Sequence, residues 1–578
     1  MLDSPIPAIL RERASLQPND SAFTFIDYDV DPDGVEETLT WGQLNQRVTT
    51  LAAELRQHAE IGDRVVIMAP QSMWYILGFL AAFQANLIAV PLSTPTPGAH
   101  DERAAAVLKD CTPTVILTTS AMAGEVLRYA KAADGASAPT VLEIDQLDLT
   151  VRVGRSSRSR RETPPETAYL QYTSGSTRTP AGVMVSQRNL LANFEQQVSA
   201  LLSEYGRVGP PGTTLVSWLP FYHDMGLILG ICAPILGGWH SVVMTPLAFL
   251  ARPARWIQQL ARRPHALTAA PNFALDLAAS RTTDDDLAGL DLGDVVAIVC
   301  GAERVQPVSV RRFTQRFTDV GFQPKVIRPS FGLAEATLYV ATHEPGEAPS
   351  VVTFDPEKLT AGVAKRTTVG TSLISYGTPD SPRVRIVDPD TRLETPAGTI
   401  GEIWVQGDNV CRGYWNKPDE TEHTFRGVIA HPTDGTSNDN WLRTGDLGFT
   451  DDGELFIIGR IKDLLIVRGR NHYPDDIEAT VGAVSGGRVA AISVEDDTTE
   501  QLVAIVEVKP RATEEATRAK LNDVKSAVTS AISQAHGISA ADLVLVAQGA
   551  IPITTSGKIR RQACAERYRQ GEFIRLDA

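Results

Sequence analysis

Short β-rich runs alternate with helically spaced apolar residues through most of this sequence, and that alternation leaves few folds open. Residues 64–68 (RVVIM), 87–91 (LIAVP) and 114–117 (TVIL) read as strands, and residues 73–83 read as a buried helix. Upstream, Leu44, Val48, Leu51 and Leu55 fall on one face of a helix predicted over 44–58. A repeated strand–helix–strand order predicts α/β layers with mainly parallel sheets. No internal repeat of about 20–50 residues is visible, which argues against a solenoid or propeller.

At 578 residues the chain is too long for one ordinary domain. The composition changes after Arg460. Downstream, residues 489–494 and 502–508 read as strands, 514–535 as a charged helix and 543–546 as a strand. This module of about 115 residues is large enough to fold independently. The expected division is therefore 1–460 and 461–578, joined at Gly459–Asp463 by a segment too short for a floppy linker and better suited to a hinge.

The balance of 54 basic and 69 acidic residues gives a net charge of −15. That argues against a general nucleic-acid binder, which carries a basic footprint, but leaves room for a local basic pocket. Cysteines 111, 232, 300, 411 and 564 are scattered without a CxxC pair, so neither a zinc knuckle nor a disulfide framework is indicated. The N-terminus lacks the apolar stretch of a signal peptide. The longest apolar run, 73–83, is too short to cross a bilayer, which takes about 20 residues. No transmembrane segment is expected, and the expected location is cytoplasmic. Residues 151–161 (VRVGRSSRSRR) hold five arginines and read as a solvated connector, or as a docking surface for an acidic partner.

Four stretches carry chemistry. A strand-like run over 168–172 delivers the chain into Thr173, Ser174, Gly175, Ser176, Thr177, Arg178, Thr179, Pro180, Ala181 and Gly182. Small hydroxyl residues and glycine let backbone N–H groups cradle an anion; alone, the loop is equally a plain Ser/Thr/Gly turn. It is not a Walker A loop, since no GxxxxGK[ST] is present. In Ser330-Phe331-Gly332-Leu333-Ala334-Glu335, an aromatic ring could stack on a base and a carboxylate could hold Mg²⁺ on phosphates; an exposed Glu starting a helix is the plainer reading. In Thr444-Gly445-Asp446, a carboxylate on a tight glycine turn suits vicinal hydroxyls such as a ribose's, or simply satisfies its own backbone. Near the C-terminus, Lys558 on a Ser-Gly turn is a point charge deliverable to a phosphate, or a solvated tail lysine.

Taken together and in this order, these stretches with Gly301-Ala302-Glu303 and Gly459–Asp463 resemble the adenylate-forming (ANL) superfamily over essentially the whole chain. Within it the sequence looks most like the mycobacterial fatty acyl-AMP ligases, through YTSGSTRTPAGVMVSQRNL (172–190), WLPFYHDMGLILGICAPILGG (218–238), SFGLAEAT (330–337) and GRIKDLLIVRGRNHYPDDIE (459–478). Ala181 stands where acyl-CoA synthetases usually carry a lysine. Residues 344–365 look like the insertion typical of acyl-AMP ligases, which in that family is thought to restrict the motion needed for a CoA step.

The resemblance implies an α/β fold with a large multi-subdomain N-terminal domain and a small mobile C-terminal α+β domain. It implies a long-chain fatty acid and ATP as substrates, Mg²⁺ as cofactor, and an acyl-carrier domain of a polyketide synthase as acceptor, with no nucleic acid. By motif, Thr173 to Thr177 would hold the β- and γ-phosphates, and Glu335 would position Mg²⁺. Ala302 and Phe331 would contact adenine, with Gly301, Ser330, Gly332 and Ala334 completing the nucleotide set. Asp446 and Arg460 would fix the ribose, and His223 would line the acyl entrance. Lys558 would bridge carboxylate and α-phosphate, and Lys462 would be the hinge. The carrier's acidic helices would suit the arginines at 152–161. The nearest alternative is a long-chain fatty acyl-CoA ligase. A non-catalytic scaffold would be expected to have lost Lys558, Glu335 or Asp446. An amino-acid-activating domain is the third option, and Trp239 lies either near the acyl pocket or in the core.

Overall fold

The computed structural model describes residues 5–95, 101–130, 138–151, 163–173, 180–467, 470–496, 499–509, 514–554 and 558–577. Two large sheets dominate. One is eight-stranded, in the order Tyr339–Thr342, Ile327–Gly332, Ala297–Gly301, Ala266–Pro271, Thr214–Ser217, His240–Met244, Ser21–Asp27 and Val35–Thr40. It is parallel except at its two edge pairs. The other is six-stranded, in the order Thr140–Glu143, Val115–Thr118, Arg64–Ile67, Ile88–Pro91, Tyr169–Tyr172 and Gly182–Val185, with only the last pair antiparallel. The parallel α/β layers expected from the alternating pattern are thus present.

Helices fill the space between the sheets for reasons the sequence makes plain. Met73–Gln84 is apolar on all sides and touches strands of both sheets, the behaviour of a helix without a solvent face. Trp41–Leu55 buries Leu44, Val48, Leu51 and Leu55 on one face. Its start is fixed reciprocally: Gln43 N donates to Thr40 Oγ1 at 3.3 Å, and Thr40 N donates to Gln43 Oε1 at 2.9 Å.

A third sheet follows, which the alternation did not foreshadow. Arg383–Val387, Gly401–Gln406, Leu442–Asp451 and Glu454–Arg460 form an antiparallel meander. Residues 344–365 fold ahead of it: Val351–Phe354 pairs with Thr371–Ile374, and the short helix Pro356–Thr360 comes between them in the chain.

Beyond the turn Ile461–Asp463 the chain builds a smaller unit. Val489–Asp496, Thr499–Val508 and Asp542–Ala547 form its sheet, and Pro474–Ser485, Glu514–His536 and Arg561–Arg569 its helices. Two hydrophobic clusters here draw only on residues from Leu465 onward, so the small unit has its own core. All five cysteines are buried and unpaired. Among the described residues, no helix is long and apolar enough to cross a membrane. Trp239 is partly buried against the main core, with its ring 5.7 Å from Phe194.

His240 opens a central strand of the eight-stranded sheet, and its Nε2 is 2.8 Å from Thr24 Oγ1. Burial first, and then Arg263, push its pKa down from 6.5 to about 4. A histidine held neutral in the fold stabilises fully above its unfolded pKa and loses that contribution as pH falls. The stability advantage of the wild type over His240→Gln, measured as Tm, should therefore shrink between about pH 6.5 and pH 4. A difference independent of pH would show that another group titrates.

Candidate active site

Several of the described candidate residues lie at the carboxyl ends of parallel strands, where ligands of open α/β sheets bind. Ala297–Gly301 ends in Gly301 and passes to Ala302 and Glu303; Ile327–Gly332 ends in Ser330, Phe331 and Gly332 and passes to Ala334 and Glu335. Thr214–Ser217, two strands along from Ala297–Gly301, leads to His223 and Asp224. From the other large sheet, Tyr169–Tyr172 delivers Thr173, whose N–H donates to Ala181 O at 3.3 Å. Ser174, Gly175, Ser176, Thr177, Arg178 and Thr179 lie outside the described residues, as do Arg152 to Arg161 and Thr555 to Gly557.

Backbone geometry marks two turns. Ala302 has φ +66°, a left-handed conformation uncommon for a residue with a Cβ. A Cβ on Gly332 would lie 1.7 Å from the Leu338 carbonyl oxygen, so only glycine lets the Glu335 turn fold back this tightly. Glu335 occupies the 3₁₀ turn Ala334–Ala336 rather than an exposed helix start, and is partly buried. Its Oε1 accepts from the Tyr414 hydroxyl at 2.7 Å. Burial raises the Glu335 carboxyl above its usual range, against the pull of that hydroxyl. Phe331 is packed in the main core. The Ser330 hydroxyl is 3.0 Å from Arg328 O, to which it donates, and 2.7 Å from Thr342 Oγ1.

The His223 loop is suspended from the six-stranded sheet by two glutamine side chains. Gln71 Nε2 donates to Leu219 O at 3.1 Å and Met244 O at 2.8 Å, and its Oε1 accepts from Phe221 N at 3.1 Å. Gln171 Nε2 donates to Tyr222 O at 3.0 Å. His223 Nδ1 is then 2.7 Å from Asp224 Oδ1. Burial would raise the Asp224 carboxyl, but His223, Lys558 and the Met225 N–H together hold it below its usual range.

Asp446 comes from the antiparallel sheet. The Thr444–Asp446 segment is a kink within Leu442–Asp451 and not a free turn: Gly445 takes φ +70°, and the register slips just beyond it. The kink is pinned by Gly445 N donating to Glu402 Oε1 at 3.0 Å and by Thr444 Oγ1 donating to Ile403 O at 2.7 Å. Asp446 and Arg460 are cross-strand partners, with Arg460 Nε 2.8 Å from Asp446 Oδ1. Burial raises the Asp446 carboxyl against the attraction of Arg460 and Lys558. Asp446 in turn raises Arg460. Lys462 lies in the turn Ile461–Asp463, its ammonium lowered by burial and by Arg460.

Lys558 reaches this cleft from the small unit. Its pKa is lowered by burial, against the pull of Asp224, Glu303 and Asp446. Glu303, whose Oε1 accepts from Phe273 N at 2.7 Å, is raised by burial. One cation from the C-terminal unit is thus electrostatically coupled to carboxylates from three separate elements of the large one. Asp224 and Glu303 fell within stretches read from the sequence but were given no role there. Tyr414 carried no local signal, because its contact with Glu335 spans 79 residues.

The profile of the AMP-binding enzyme family matches residues 10–415. The chain belongs to the AMP-binding enzyme family. Residues 462–576 match the AMP domain of Disco-interacting protein 2-like proteins. A Mycobacterium tuberculosis relative carrying the provisional name fatty-acid–CoA ligase fadD25 is 58% identical over 581 residues, covering 100% of both chains. The long-chain-fatty-acid–AMP ligase FadD26 of Mycobacterium marinum is 56% identical over 585 residues, covering 100% of this chain and 99% of its own. The crystal structure of fatty acyl-adenylate ligase from L. pneumophila, in complex with acyl adenylate and pyrophosphate, aligns with a TM-score of 0.72 at 32% identity, covering 99% of this chain and 97% of that one. The large α/β domain with a smaller C-terminal domain is thus the architecture of adenylate-forming enzymes.

In this AMP-binding enzyme, Tyr414→Phe removes the hydroxyl that stabilises ionised Glu335. The carboxyl should rise further, moving the acid limb of the pH profile of ATP turnover upward by about one unit, the worth of one hydrogen bond to a charged group. An acid limb that stays in place would separate Glu335 ionisation from the reaction.

Proposed function

We propose that this chain activates a long-chain fatty acid with ATP, giving a fatty acyl adenylate and pyrophosphate, and passes the acyl group to an acyl-carrier domain of a polyketide synthase. The observation that carries the first half of this reading is Lys558 of the small unit lying within the electrostatic reach of Asp224, Glu303 and Asp446. Adenylation needs a cation at that position. A fatty carboxylate is a weak nucleophile, and the α-phosphorus is shielded by negative oxygens, so positive charge and in-line alignment must be supplied.

In this reading each candidate residue has a role around the reacting atoms. The carboxylate attacks the α-phosphorus, the bond to the bridging oxygen breaks, and pyrophosphate leaves with the electron pair. Lys558 would span the attacking carboxylate and the α-phosphate. Asp446 and Arg460 would receive the ribose, and Gly301, Ala302, Ser330, Phe331, Gly332 and Ala334 would border adenine. Thr173 and the loop through Thr177 would hold the β- and γ-phosphates. His223, braced by Asp224, would line the acyl entrance, and Lys462 would serve as hinge.

Mg²⁺ fits this arrangement in one way. No cluster of three or more metal-ligating side chains is present among the described residues, so a divalent cation would be held by Glu335 and by phosphate oxygens, as Mg²⁺ commonly is. When bound, it would neutralise phosphate charge as a Lewis acid.

Release of acyl adenylate to a carrier, in preference to conversion to acyl-CoA, is supported by residues 344–365. Phe354 and Leu359 share one hydrophobic cluster with Leu447, Phe449, Phe456 and Ile458 of the antiparallel sheet and with Tyr473 of the small unit. Fully burying an aromatic side chain is worth about 2 kcal/mol, so swinging the small unit away carries the cost of exposing Tyr473, its buried contribution to the cluster. The relatives' names divide between AMP and CoA ligases, which keeps a long-chain fatty acyl-CoA ligase as the second reading.

With ATP, Mg²⁺, a fatty acid and CoA present, the expected product is acyl-AMP; predominant acyl-CoA would select the second reading. Lys558→Ala should lower fatty-acid-dependent ATP–pyrophosphate exchange more than about a hundredfold, the order for one transition-state donor of about 3 kcal/mol. Near-normal exchange in that variant would overturn the assignment.

A further inference from the structure

Arg304 follows the Gly301–Glu303 stretch, and its side chain crosses from the large body to the small unit. It pairs with Asp476 and donates to Ile458 O at 3.0 Å, with only 7% of its side chain exposed. Asp476 is one of two consecutive acids in the first turn of Pro474–Ser485; the other, Asp475, pairs with Arg561. Arg561 stands three residues beyond Lys558. Its guanidinium donates to Asp475 at 2.9 Å, to Asp463 of the hinge turn at 2.9 Å, and to Glu478 at 2.8 and 2.6 Å. A chain of two ion pairs, joined through the adjacent residues Asp475 and Asp476, therefore runs from the large body to the lysine-bearing segment.

The two ends of this chain behave differently under rotation about Lys462. Every partner of Arg561 lies beyond the hinge residue and travels with the small unit. The Arg304–Asp476 pair joins the two bodies and must break. Exposed ion pairs contribute little, but stripping one partner from a desolvated pair leaves an uncompensated charge and is costly.

We propose that Arg304 and Asp476 form a latch that holds the small unit in its adenylating position, with Arg561 transmitting that position to Lys558. The proposal rests on the adenylating reading above. Arg304 and Asp476 are positioning residues that act through the placement of Lys558 and touch no reacting atom.

The test is a double-mutant cycle on the full chain, with fatty-acid-dependent ATP–pyrophosphate exchange as readout. Asp476→Ala and Arg304→Gln should each lower kcat at least tenfold while leaving KM for ATP and fatty acid within about twofold. The double variant should be no worse than either single one, as expected for residues that act as a pair, and Asp476→Glu should recover part of the loss. Unchanged exchange, losses that multiply in the double variant, or a parallel rise in KM would overturn the latch. Absence of exchange in the wild type would overturn the adenylating reading and the latch with it. Exchange in the wild type and Asp476→Ala alike would overturn the latch only.

Discussion

The ammonium of Lys558, carried by the small unit and electrostatically coupled to carboxylates of the large one, is the interaction on which the arrangement of the site turns. Lys558 loses hydration on entering, and its neighbours must supply what water no longer does. Asp224 comes from the loop after one parallel strand, Glu303 from the end of another, and Asp446 from a kinked antiparallel strand. The carboxylates of Glu303 and Asp446 are themselves raised by burial. Asp224 and Glu303 extend from the eight-stranded sheet and Asp446 from the antiparallel one, so the site draws on two sheets and on the small unit.

Much of the large-scale plan was legible because it follows from periodicity. Leu44, Val48, Leu51 and Leu55 share a helix face, and residues 64–68 and 114–117 are β-rich runs that end up in the interior of a parallel sheet. The meander from Arg383 to Arg460 was not legible. Its strands pair across long loops, and Gly445 interrupts the alternation along Leu442–Asp451, so that the segment reads as a turn. At the site, residues within local motifs could be named from sequence. Contacts made only by the fold could not: Tyr414 with Glu335, Gln71 with the His223 loop, and Arg304 with Asp476 all join distant segments.

The net charge of −15 and the local chemistry point in opposite directions without conflict. A broad polyanion surface is incompatible with that balance. An anion-handling cleft needs only a few cations whose positions are strictly set; Arg460 is paired with Asp446, and Lys558 lies under the electrostatic influence of Asp224, Glu303 and Asp446. Acidic residues in such a cleft hold the cations in place between turnovers.

The shared cluster of Phe354, Leu359, Phe449, Phe456 and Tyr473 has a further consequence. An acyl adenylate is a mixed anhydride, and water destroys it. Tyr473 ties the small unit to a cluster otherwise built by the large one. A lifetime for that intermediate longer than a few encounters with solvent would depend on such contacts keeping the two units together. Loosening that cluster would make the enzyme leaky before it made it slow, with ATP consumed and little acyl group delivered.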